Sequence, residues 1–82
     1  MSTESAILRG MLAEMRQKKM TLAARIAASL RAAKLALAGF EFKPLADVDI
    51  AGAAIHMRTA EALMADLNGV EADIARAEKE LA

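Results

Sequence analysis

Gly39-Phe40-Glu41-Phe42-Lys43-Pro44 is the one strong break in a chain of 82 residues, and its reading decides the fold. Glycine readily takes the left-handed conformation that closes the last turn of a helix. Proline removes a backbone donor and drives the residue before it out of the helical region. A helix therefore stops near Ala38, and another starts near Ala46 or Asp47, with Asp47 and Asp49 well placed against the dipole of a first turn. The expected spans are a helix over about 4–38, a turn over 39–45 and a helix over about 46–81, within one domain. Each arm is some 35 residues, or roughly 50 Å at 1.5 Å per residue.

Working outward, both arms carry helical periodicity and neither alternates like a strand. The apolar stripe of the first arm runs Leu8, Leu12, Met15, Leu22, Ile26, Leu30 or Ala33, Leu37. The second is stricter: Ala53, His56, Ala60, Leu63, Leu67, Val70, Ile74, Ala77, Leu81. Steps of three and four throughout make it a heptad seam. It keeps phase across Asn68-Gly69, which argues for a continuous, locally weak helix there. Lys18-Lys19 interrupts the first stripe, and a break with Thr21 capping a new helix is the alternative at that point.

Charge supports the same folding-back. Residues 1–38 hold seven Lys/Arg against two Glu, and residues 46–82 hold eight Asp/Glu against three Lys/Arg. Two arms of equal length and opposite sign, joined by a short connection, predict an antiparallel αα-hairpin. If residue i faces about residue 84 − i, Leu22 meets Leu63 and Met15 meets Val70. Arg25 then falls near Glu61, and Lys18 and Lys19 near Asp66.

Composition closes several functional classes. With no cysteine there is no disulfide framework, thiolate metal site or thiol nucleophile, and a single histidine excludes a multi-histidine site. Phe40 and Phe42 are the only aromatics, too few for a base-stacking platform. Thr21–Leu45 is alanine-rich and basic, but Arg25, Arg31 and Lys34 fall inside any spanning window, each costing roughly 2.5–3.5 kcal/mol at a bilayer centre. A targeting presequence has no reason to match an acidic partner downstream. The expectation is a cytoplasmic, non-catalytic protein with no cofactor, no metal, no membrane span and no small-molecule substrate.

One excess remains. Near the turn the apolar surface is too wide for a two-helix contact. Met20 and Leu35 lie off the first stripe; Ile50, Met57 and Met64 flank the second on one side, and Val48, Ile55 and Ala62 on the other. Contiguous apolar surface of this kind marks an interface. The expected interface residues are Met20, Leu35, Phe40, Val48, Ile50, Ile55, Met57 and Met64. The simplest occupant is a second copy, giving a homodimeric four-helix bundle; a partner protein helix is the other. One of Phe40 and Phe42 caps the core, and the other is free to anchor a partner.

Two further candidates are weighed against plainer roles. Arg9, Arg16, Arg31 and Lys34 project from one side of the first arm and would form a nucleic-acid contact if that side tracked phosphates. The plainer role is a solvated face, or pairing with acidic neighbours. His56 falls on the seam near Ala28 and Ser29; histidine titrates near neutrality, but with no second histidine and no carboxylate one turn away it reads as a space-filling residue.

Overall fold

The computed structural model describes residues 3–82. Helix α1 spans Thr3–Ala36 and helix α2 spans Ile50–Leu81, and among the described residues there is no strand. The two helices pack on each other along their length as an antiparallel hairpin, a rod of 66 × 15 × 14 Å. It is an all-α fold, as the periodicity predicts.

The connection is longer than the expected turn. Helix α1 ends at Ala36 rather than Ala38, because the Leu37 and Ala38 amides tighten onto carbonyls three residues back, at Lys34 and Leu35. Gly39 then takes φ 71°, the left-handed conformation for which glycine was read. Two single 3₁₀ turns follow, Phe40–Phe42 and Leu45–Asp47, with extended Lys43 and Pro44 between them. Helix α2 begins at Ile50 instead of Ala46 or Asp47, because Asp49 serves as its cap. The Asp49 carboxylate accepts from the Gly52 amide at 2.9 Å. A β-carbon on Gly52 would meet that carboxylate, which would have to shift to make room.

Both suspected weak points stay helical. Helix α1 is continuous through Lys18-Lys19, and the Thr21 hydroxyl donates to the Gln17 carbonyl one turn back instead of capping a new helix. Helix α2 is continuous through Asn68-Gly69.

The seam of α2 lies where the sequence put it. Ala53, Ala60, Leu63, Val70, Ile74 and Ala77 are buried, and His56, Leu67 and Leu81 are half-buried. On α1, Leu12, Leu22, Ile26 and Ala33 are buried, with Leu8, Met15, Ser29 and Ala36 half-buried. Here the reading is corrected near the turn: Ala33 is the seam residue, while Leu30 and Leu37 are exposed. The heptad phase explains it. From Ile26, steps of three and four lead through Ser29, Ala33 and Ala36, which leaves both leucines one position round the helix.

These buried positions set residue i opposite about residue 86 − i, near the expected register. The inter-helix ion pairs are offset from it: Arg16 with Glu78 at 3.9 Å and Lys19 with Glu71 at 4.0 Å, not the pairs expected from facing Cα atoms. The reason is the lean of helical side chains toward their own N-terminus. On antiparallel helices two long side chains lean in opposite directions, so partners meet where i + j exceeds the backbone register, as it does for both pairs, 94 for Arg16 with Glu78 and 90 for Lys19 with Glu71. Both pairs are half exposed and select orientation more than they stabilise, at about 0–1 kcal/mol each.

Candidate interaction surface

The rod divides into two halves with different interiors. Away from the turn the seam is built of large side chains: Leu8, Leu12, Met15, Leu63, Leu67, Val70 and Ile74. Toward the turn it is built of small ones. Ser29 and Ala33 on α1 line up with His56 and Ala53 on α2, and Ala60 lies opposite Ile26. Small seam residues fill little of the space between the helices, and the bulky side chains of this half stand at flanking positions instead.

They lie outside. Among the described residues, every exposed large hydrophobic except Ile7 and Met11 falls between residues 20 and 64. Seven of the eight expected interface residues, Met20, Leu35, Phe40, Ile50, Ile55, Met57 and Met64, are exposed, with Ile50 at 65%. Val48 is the exception. It is half-buried, because it sits where the second 3₁₀ turn hands over to α2 and its amide closes onto the Leu45 carbonyl. Leu30, Leu37 and Leu45 join the exposed set, and the unbroken heptad through Ser29 and Ala33 could have found the first two.

Part of this surface is a shaped groove. Leu30 from α1 and Met57 and Met64 from α2 form its walls, Ile26 and Ala60 lie beneath, and it encloses about 500 Å³. The one acid on its rim is Glu61. Leu35 and Ile55 occupy other heptad positions and stand away from the groove. At the tip, Phe42 is 90% and Leu45 79% exposed, while Phe40 is half exposed and lines a shallow hollow with Leu37 and Lys34.

The basic candidates are distributed as follows. Arg9, Arg16, Arg31 and Lys34 are all exposed. Arg16 is engaged with Glu78, and the other three make no ion pair among the described residues. His56 is half-buried in the seam between the small residues of the turn half. Among the described residues no group of three or more His, Asp or Glu side chains is arranged to hold a metal, and no helix is long and apolar enough to cross a membrane.

The class of protein that these features define is a helical hairpin with one over-wide apolar flank. No family model, no curated protein and no solved structure matches the chain.

Proposed function

We propose that this protein is a small assembly module of the cytoplasm: a helical hairpin that self-associates into a four-helix bundle and performs no chemistry of its own. The observation that carries the reading is the inversion of the turn half, where alanines hold the seam and Leu30, Leu37, Ile50, Met57 and Met64 stand in solvent. A hairpin that needed only itself would gain by placing its large side chains inside, since burial of a leucine or methionine contributes about 1.5–3 kcal/mol. Two helices alone also bury a small share of a short chain's surface. A second apolar layer supplies what the single hairpin lacks.

The basic face favours the same reading over contact with nucleic acid. Arg9 and Lys34 stand some 38 Å apart along α1, and α2 lies beside them with a matching excess of carboxylates. The field that would gather phosphates is largely neutralised at short range.

Sedimentation equilibrium or light scattering at micromolar concentration tests the proposal. The expected result is a mass at least double 8.7 kDa that falls on dilution. A helical, stable species of 8.7 kDa across that range would overturn it.

A further inference from the structure

The groove flank belongs to two continuous seven-residue stripes. On α1 the stripe is Arg9, Arg16, Ala23, Leu30, Leu37; on α2 it is Ile50, Met57, Met64, Glu71, Glu78. Seven-residue spacing keeps each on one side of its helix. Two observations put them on the same face of the hairpin: Leu30 shares a groove with Met57 and Met64, and Arg16 reaches Glu78. That face is apolar toward the turn and charged toward the open end, basic on α1 and acidic on α2. The opposite face is also basic on α1 and acidic on α2 but lacks large apolar residues toward the turn: its flanking positions carry Met11, Lys18, Arg25 and Ala32 on α1 and Gly52, Thr59, Asp66 and Asp73 on α2.

From this pattern we infer that the occupant of the groove face is a second copy of the chain running in the same direction, with its turn at the same end. Two hairpins can meet face to face about a two-fold axis in only two ways. With the axis along the rod, α1 of each copy lies over α2 of the other at equal height. Every layer of the stripes is then matched: Leu37 over Ile50, Leu30 over Met57, Ala23 over Met64, Arg16 over Glu71, Arg9 over Glu78. Apolar meets apolar, and base meets acid.

With the axis across the rod, the turns lie at opposite ends and α1 lies over α1. Leu37 and Leu30 then fall at the height of Arg9 and Arg16 of the other copy, and Ile50 and Met57 at the height of Glu78 and Glu71. That burial sets charge against hydrocarbon and base beside base, which is disfavoured on both counts. A staggered version that overlaps only the turn halves avoids the mismatch but shortens the contact. Residues 20–37 of α1 cover about 26 Å. The full 66 Å by 15 Å face covers roughly 1,000 Å² per copy, within the range of specific dimers, whereas the staggered contact covers less than half of that.

This arrangement rests on the self-association proposed above, and the experiment separates the two. The chain lacks cysteine, so Glu41→Cys at the exposed tip carries a single spin label. Its mass in solution is measured first, and the label-to-label distance by pulsed electron resonance second. A dimeric mass with a distance below about 20 Å, as neighbouring helix tips 8–10 Å apart allow, supports the inference. A dimeric mass with a longer distance, from about the 26 Å overlap of a staggered pair up to the 66 Å length of the rod, overturns the orientation and leaves self-association standing. A monomeric mass overturns both.

A second measurement reads the charged layers. Arg9→Glu/Arg16→Glu is mixed with Glu71→Lys/Glu78→Lys, once circular dichroism shows that each hairpin still folds, since the changes also break the Arg16–Glu78 and Lys19–Glu71 pairs within a chain; each variant repels itself across the interface and attracts the other. Mixed dimers should exceed the statistical share several-fold. A statistical mixture would overturn the facing of α1 with α2.

Discussion

The open half and the turn half of this hairpin carry the same heptad and do opposite things with it. In the open half Leu8, Leu12, Leu63, Val70 and Ile74 fill the seam, and the flanks carry Arg16, Glu71 and Glu78. In the turn half the seam is Ser29, Ala33, Ala53 and Ala60, and the flanks carry Leu30, Leu37, Ile50 and Met57. The difference teaches where each half gets its stability. The open half is self-sufficient, with apolar area buried between two helices and charge left to water. The turn half forgoes that burial and leaves its bulk to be covered from outside.

The largest expected effect tests the open half. Leu63→Ala removes a buried side chain from the large-residue seam and should cost about 2–5 kcal/mol in chemical denaturation. Leu30→Ala, measured below the association range, should cost far less; equal losses at both sites would abolish the distinction between the halves. Next, Ala60→Leu forces volume into a buried seam position that alanine fills, and should destabilise by about 1–3 kcal/mol, seen as a lowered Tm. An unchanged or raised Tm would mean that the turn-half seam has room to spare.

Smaller effects sharpen the boundary between the halves. Asp49→Ala removes the cap of α2 and should cost about 1 kcal/mol in chemical denaturation. No loss would show that the carboxylate does not hold the start of α2. Last, Gly69→Ala lies in the exposed middle of α2, where an added β-carbon meets nothing. It should stabilise the hairpin by about 0.5–1 kcal/mol by thermal unfolding, since the helix there is continuous. A loss would point to a break at Asn68-Gly69.

Much of this was legible in the residues, for identifiable reasons. The α2 seam could be read whole because its apolar steps never leave phase and its flanks are polar in the open half. Gly39 and Pro44 bracket the turn because each has a backbone restriction that no neighbour can override. The α1 seam was harder. Near the turn it is made of Ser29 and Ala33, while Leu30 and Leu37 beside it are more hydrophobic, so hydrophobicity pointed to the wrong position and only the phase pointed to the right one. The ion pairs were misplaced because the register was counted between backbones, and charged groups meet a turn away from their Cα atoms. The start of α2 was read too early because Asp47 and Asp49 were placed inside its first turn, whereas Asp49 stands just outside it as the cap. The groove itself, a shape made by one leucine and two methionines above an alanine, has no linear signature beyond the flanking pattern that announced excess apolar surface.

The slender outline has a practical corollary for any weighing of the molecule. Its radius of gyration is 18.8 Å, against about 12 Å for a compact chain of this length. A single copy therefore experiences the drag of a much heavier sphere, and a sizing column would credit it with extra mass before any pairing occurs. A copy laid alongside would thicken the particle without lengthening it, so elution would shift little while the true weight doubled.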